Sequence, residues 1–436
     1  MTATGAVTTA AVAPDGRLPA HARLAYGLLG LPFAMAALPV YVHLPKFYSE
    51  HLGVPLATLG LLLLALRLVD GVLDPLLGAW SDRAASRKPL IALAAPFLAV
   101  GMIALFAPPV RGEAALMVWL SATLAIVYVA FSLATINHGA WGAELSSDPV
   151  ERTRITAVRE SLALAGVVIA STAPALLGGD GGEVAGLPRF AYVFAVVIFA
   201  ATAVTLTWAP MVLRPPSARL PMFADMRAPL TDPCFRRLLA VFVLNGIASS
   251  IPATLVLFFI TDVLQAEARQ GMFLAIYFIA GAAGMPLWVK LSARVGKVRA
   301  WHAAMLTAVV AFVWAARLSA GDVVPFAVIC AVAGLAFGAD LALPPSILAD
   351  VIGRDDRMHA TGAYFGLWTL ATKLNLAFAA GIALPLLGLL AYAPGTRDPA
   401  ALSALAFVYA GVPSVLKIGA ALALAWFDAR WRRHAA

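Results

Sequence analysis

Asp70 and Asp74 stand four residues apart in Arg67-Leu-Val-Asp70-Gly-Val-Leu-Asp74-Pro75, within an otherwise apolar stretch. At helical spacing the two carboxylates share one face about one turn apart, so they can address a single positive ion. Two like charges this close raise the proton affinity of at least one carboxylate unless a cation separates them. Pro75 has no amide hydrogen, which leaves the Gly71 carbonyl, one turn earlier, available to a cation, water or hydroxyl. Capture of a proton or a metal cation is the chemistry this pattern offers. The competing reading is structural, with Asp70 and Asp74 paired to Arg67 and Lys373 to lock helices together.

Other polar groups interrupt apolar segments in smaller numbers. Lys373, in Leu370-Ala-Thr-Lys373-Leu-Asn375, is expected either to answer the charge at Asp70 and Asp74 or to form a static salt bridge. Asp340 precedes Pro344 and Pro345, where a kink would expose carbonyls beside a carboxylate facing a ligand or water. Asn137, His138 and Trp141, with Tyr128 a few turns away, mix hydrogen-bonding and stacking groups suited to a hydroxylated solute; burial in the core is the alternative for Trp141. Tyr41 and His43 divide between ligand contact and interface anchoring. Lys417 has no acidic residue near it in sequence.

Charged residues of both signs cluster in three short polar segments. These are Asp82, Arg83, Arg87 and Lys88; Glu144, Asp148, Glu151, Arg152, Arg154 and Arg159; and Asp350, Asp355, Asp356 and Arg357. Such clusters can bond in one conformation and part in another, so they are candidate gate residues, with a solvated surface as the alternative.

The elements that position these groups follow from composition. Of 436 residues, 62% are hydrophobic and 12% charged, which excludes an ordinary water-soluble domain and leaves no polar stretch for a separate enzyme domain. Segments long enough to cross a bilayer fall at 24–44, 56–80, 89–109, 115–137, 157–178 and 189–212, and again at 238–261, 271–291, 301–318, 323–348, 361–392 and 402–427. Expected boundaries are a tail at 1–23, a six-helix half at 24–213, a Pro-rich basic connector at 214–237, a second half at 238–427 and a tail at 428–436. Of the 31 Lys and Arg, 22 fall in or within about two residues of the tails, the connector and the even-numbered loops and 6 in the odd-numbered loops. Positive charge marks the cytoplasmic side, so both termini are expected there, and the net charge of +8 reflects topology rather than nucleic-acid binding. The start of the chain lacks a basic-then-apolar leader and is expected to be a short mobile tail. Cys234 and Cys330 suggest neither a disulfide framework nor a thiolate metal site.

The loop after span two, Gly78-Ala-Trp-Ser-Asp82-Arg83-Ala-Ala-Ser-Arg87-Lys88, is echoed after span eight by Lys290-Leu-Ser-Ala-Arg294-Val-Gly296-Lys297. Twelve spans in two related halves with this loop resemble the major facilitator superfamily. The expected fold is therefore an all-α membrane protein of twelve transmembrane helices in two pseudo-symmetric six-helix halves, the major facilitator fold. More narrowly, Arg67-x-x-Asp70-x-x-x-Asp74-Pro75 with Gly78, Gly142-Ala-Glu-Leu-Ser-Ser-Asp148-x-x-Glu151-Arg152-Thr-Arg154 with Arg159, and Ala349-Asp350 followed by Lys373 resemble the glycoside-pentoside-hexuronide:cation symporters. The resemblance implies that Asp70 and Asp74 hold the coupling cation beside Lys373, and that Arg159 serves the substrate or gate region.

Departures from that family's pattern carry information too. Leu73 stands where sodium-using relatives supply a side-chain oxygen, and Ala134 where they place a span-four hydroxyl, so two sodium ligands are missing and H⁺ is expected over Na⁺. The family's sugar-binding acids are replaced near Pro32 and at Asn137. Asn137 can still hydrogen-bond hydroxyls, so a sugar or glycoside stays the expected solute; without the anionic acceptor a uronate, a small peptide, or a lysolipid or other amphiphile are alternatives, and a non-transporting receptor or scaffold is a weaker one. No catalytic His-Asp-Ser, zinc-ligand or phosphate-loop pattern appears, and His138 and His359 stand apart from suitable partners, so no enzyme activity and no cofactor are expected. A monomer in the bacterial-type inner membrane, contacting lipid, solute and coupling cation, completes the expectation.

Overall fold

Apolar runs of this length become helices because a bilayer offers no water to satisfy peptide groups, and a helix pairs them internally. The computed structural model describes residues 17–213, 222–354 and 358–433, and these are mostly helical with no strand among them. Among the described residues, eleven helices are long and apolar enough to cross a membrane: α1 (Ala20–Ser49), α3 (Lys88–Phe106), α4 (Glu113–Glu144), α5 (Pro149–Gly178), α6 (Val184–Trp208), α7 (Pro233–Val263), α8 (Glu267–Val295), α9 (Lys297–Ala315), α10 (Val323–Arg354), α11 (Met358–Leu389) and α12 (Pro399–Ala429). The twelfth, α2 (Leu56–Ser81), has 26 residues and is set apart by carrying Arg67, Asp70 and Asp74. A short helix, Met222–Thr231, lies in the connector. The first sixteen residues, the connector segment 214–221, the loop residues Asp355, Asp356 and Arg357, and the last three residues lie outside the described part.

The chain forms two compact units, one of residues 1–226 with 352–366 and the other of residues 227–351 with 367–436. Buried Leu98, Met102, Leu120, Leu124, Phe190 and Phe194 fill the core of the first. Phe259, Phe273, Phe326 and Leu405 do so in the second. Large apolar side chains remain exposed outside these cores, such as Leu61, Val118 and Val196, each about seven-tenths exposed, as a lipid-facing surface requires.

The end of α10 and the first turns of α11 belong with the first unit because small residues let α11 approach α2. A Cβ on Gly362 would collide with the Gly78 carbonyl, and one on Gly366 would collide with the Asp74 carbonyl and stand 3.0 Å from the Pro75 Cα. Glycines at i and i+4 on α11 thus make the close helix contact that small residues permit in membranes. Gly366→Val is expected to cost about 1–3 kcal/mol through overpacking against rigid backbone. A lowered unfolding temperature in detergent checks it; unchanged unfolding would mean that this approach is not required.

π-helical turns lie near one end of three helices, at Pro39–His43 and Phe47–His51 in α1, Phe259–Val263 in α7 and Phe407–Gly411 in α12. The last two meet through Phe259 and Tyr409, stacked with centroids 4.2 Å apart.

Candidate functional site

Asp70 and Asp74 lie on the buried face of α2, 3% and 0% exposed, while Val69 and Val72 on the same helix are more than half exposed. The helical period therefore turns both carboxylates inward and the valines outward. The Ser132 hydroxyl on α4 donates to Asp70 Oδ1 at 2.9 Å. One turn away the Arg67 guanidinium lies 3.9 Å from the Tyr41 ring centroid. The hydroxyl missing at Ala134 is partly made good by a neighbour on α4. Ala134 is indeed buried and apolar, but Ser132, two residues earlier, brings an oxygen to the same carboxylate. The side chain facing α2 is decided by helix rotation, which sequence position alone did not give.

A second constellation surrounds Arg87, whose side chain is 1% exposed. Its Nη2 bonds Asp82 Oδ1 at 2.6 Å and Glu144 Oε1 at 2.9 Å, and its Nη1 reaches the Ser81 hydroxyl at 2.7 Å and Asn137 Oδ1 at 3.2 Å. Asp82, at the end of α2, also accepts from the Gly362 and Ala363 amides at 2.7 and 2.9 Å. One carboxylate thus answers both a guanidinium and the amides of the first turn of α11, where unpaired donors and the helix dipole favour an anion.

The remaining candidates of the first unit divide among capping, ion pairing and core packing. Asp148 caps α5 by accepting from the Val150 amide at 3.0 Å. Buried Glu151 joins Arg23 at 2.7 Å and Arg154 at 3.2 Å. Arg152 donates to the Ser146 carbonyl at 2.7 Å, and its guanidinium occupies the space that a Cβ on Gly353 would need. Lys88 donates to the Leu206 and Ala209 carbonyls at the end of α6. Arg83 is exposed. Arg159 pairs with Glu160 at 2.6 Å, a neighbour the sequence reading passed over. Asn137 and Trp141 are fully buried; Asn137 serves the Arg87 network and Trp141 packs edge-on against Tyr26. His138 and Tyr26 exchange side-chain contacts with each other's backbone carbonyls at 2.8 Å.

In the second unit the two isolated charges find each other. Lys417 Nζ lies 2.9 Å from Asp340 Oδ2, and donates to Asn245 Oδ1 at 2.9 Å and the Ser249 hydroxyl at 2.8 Å. Asp340 Oδ1 accepts from Trp301 Nε1 at 2.8 Å and from Asn245 Nδ2 at 3.1 Å. Lys417, unassigned in the sequence, is a member of a five-residue network of buried and half-buried side chains. The available signal was charge balance, since spans ten and twelve of one half carry single opposite charges that a membrane interior forces to pair. Asp350 pairs with Lys297 at 2.5 Å, and Lys373 is half-buried on the part of α11 that belongs to this unit. Beyond the ends of the helices, the Tyr392 hydroxyl donates to Asp262, which also accepts from the Gly395 amide at 3.1 Å. Burial, reinforced by the Asp262 carboxylate, pushes the Tyr392 phenol above its ordinary range.

Residues 24–429 match the family described as MFS/sugar transport protein. The chain is 23% identical over 257 residues to the inner membrane symporter YicJ of Escherichia coli, a match spanning 57% of this chain and only 55% of that symporter's length. It is 25% identical over 409 residues to the sphingosine-1-phosphate transporter MFSD2B of Mus musculus, covering 84% of this chain and 80% of the other. A shorter match, 28% identical over 175 residues, joins 39% of the chain to 36% of the isoprimeverose transporter of Lactiplantibacillus pentosus. Among solved structures, a bacterial homologue of the iron transporter ferroportin superposes with a TM-score of 0.68 at 17% identity over 94% of this chain and all of that one. The Escherichia coli fucose:proton symporter FucP gives a TM-score of 0.68 at 13% identity over 91% and 98%. At these identities the structural likeness is one of fold.

Proposed function

Because the chain belongs to the MFS/sugar transport protein family, in the glycoside-pentoside-hexuronide symporter group of the major facilitator superfamily, we propose that it is a proton-coupled symporter of an organic solute working by alternating access. The observation that carries this reading is the pair of buried carboxylates one turn apart on α2, with the Ser132 hydroxyl on Asp70. Ionised carboxylates inside a membrane are costly, and uptake of a cation relieves that cost, so cation binding and conformation become linked. A proton needs a single carboxylate, whereas sodium needs several oxygens; Ser132 supplies one, and Leu73 still supplies none. Proton coupling therefore remains the favoured assignment, with sodium as the alternative. Lys373 is assigned to sensing the charge of the pair, and the Arg87 network to closing one side of the pathway. The Lys and Arg distribution supports an inner-membrane orientation with cytoplasmic termini.

The solute has two readings. The named sugar-transporting relative supports a glycoside or sugar, while the long match to a sphingosine-1-phosphate carrier supports an amphiphile. Purified protein in proteoliposomes, given imposed pH or sodium gradients and a panel of glycosides, uronates and lysolipids, tests the whole proposal. Accumulation of at least one solute above equilibrium under a pH gradient is expected. Accumulation driven only by sodium would replace the proton, and equilibration insensitive to either gradient would overturn symport.

A further inference from the structure

The second unit encloses a cavity of about 340 Å³, at the small end of the range for organic-ligand sites. Its walls are mostly apolar and include six aromatic rings, those of Phe273, Tyr277, Phe278, Phe312, Phe337 and Tyr409. Ser249, Asp340 and Lys417 also line it, and their mutual hydrogen bonds of 2.8 to 3.3 Å gather them at one place. Beside this cluster the polar points of the lining are the hydroxyls of Ser250, Ser414, Tyr277 and Tyr409, and Ser414 already donates to the Ala410 carbonyl, so most hydroxyls of a polyhydroxylated sugar would face apolar wall, and burying them unsatisfied is costly. A solute with an apolar body and one polar end meets partners for both.

The polar cluster also limits the head group. Three donors of Lys417 are committed to Asn245, Ser249 and Asp340, and Asp340 accepts from Asn245, Trp301, Ser249 and Lys417. The charges cancel, so a net anion or cation would have to break the ion pair and leave one buried charge unanswered. The weakest link is Ser249, which accepts from Lys417 at 2.8 Å and donates to Asp340 at 3.3 Å. A ligand hydroxyl has the same donor and acceptor capacity and can take that position without changing the charge.

We propose that this cavity binds a slender, largely apolar or aromatic organic solute whose single uncharged hydroxyl-type end replaces the Ser249 hydroxyl between Lys417 and Asp340. The site is confined to the second unit and is independent of the cation-coupling assignment at Asp70 and Asp74.

Cys330 lines the cavity and Cys234 is the other cysteine, so Cys234→Ser leaves one thiol as a reporter of occupancy. The full chain in phosphatidylcholine nanodiscs is labelled with a maleimide at neutral pH in the presence of 2-naphthol, naphthalene, 2-naphthoate or D-glucose. 2-Naphthol is expected to slow labelling of Cys330 at about tenfold lower concentration than naphthalene, the value of roughly one net hydrogen bond. Ser249→Ala, which vacates the position, is expected to widen that preference. Asp340→Asn combined with Lys417→Met, which removes both charges together, is expected to erase it. D-glucose and 2-naphthoate are expected to give no protection. Equal protection by naphthalene, stronger protection by 2-naphthoate, protection by glucose, or labelling indifferent to every probe would each overturn the proposal. A preference lost in Ser249→Ala would overturn it too, even if the double variant does not fold. The readout needs no gradient, so its failure leaves proton coupling standing, and failure of coupling leaves this binding standing.

Discussion

Asn at Asp70 or at Asp74 is expected to reduce gradient-driven accumulation in proteoliposomes to simple equilibration, while the protein still folds and inserts. Either amide removes the charge that a coupling cation neutralises, yet keeps the volume and much of the hydrogen-bonding capacity of the site. Because the pair acts as a unit, each single change is expected to cost nearly the full effect rather than half of it. Ser132→Ala should act more gently. It deletes the hydroxyl that holds Asp70 Oδ1 at 2.9 Å, and hydrogen bonds to charged groups contribute roughly 1.5–3 kcal/mol. The expected result is a shift of about tenfold or more in the cation concentration that half-saturates uptake. Solute accumulation that survives in both aspartate variants would remove α2 from the coupling mechanism.

Arg87→Met is expected to produce the largest loss of stability. The guanidinium sits between Asp82 and Glu144, whose side chains are 2% and 3% exposed. Removing it leaves two buried carboxylates without their shared cation, and breaking a buried pair from one side costs about 3–5 kcal/mol. Asp82 keeps its bonds to the Gly362 and Ala363 amides, so the damage should fall mainly on the Glu144 side and on the last turn of α2. Adding Glu144→Gln to Arg87→Met should recover a substantial part of the loss, because it deletes the orphaned charge. Thermal unfolding of the single and double variants, measured side by side, checks both statements. If Arg87→Met melts like the parent, the network is a surface feature with little energetic role. Asp82→Ala leaves Arg87 paired with Glu144, so it should cost less than Arg87→Met, and by orphaning the Gly362 and Ala363 amides it should favour release of the start of α11, read as faster labelling of a cysteine introduced at Ala363.

How far each of these sites could be read from the chain differs by residue. Asp70 and Asp74 were legible because they are neighbours on one helix, where a spacing of four fixes the shared face. Span positions and the cluster of gate charges were legible for a similar local reason, since length, hydropathy and loop charge are properties of contiguous residues. Ser132 was not legible, because a lone serine in an apolar helix gains meaning only when helix rotation brings it 2.9 Å from a carboxylate 62 positions earlier. Asn137 and Trp141 looked like ligand contacts by type, yet tertiary packing buries one beside Arg87 and the other against Tyr26.

The sequence by itself determined a helical membrane chain of twelve spans and an acidic pair on the inward face of the second, since both follow from hydropathy and helical period. Only the tertiary structure decided that Asp340 and Lys417, 77 positions apart, share a network with Asn245, Ser249 and Trp301 at an aromatic-walled cavity. A charge inside a membrane must find its opposite, but which helix supplies it depends on packing and rotation, and no local pattern of residues records those.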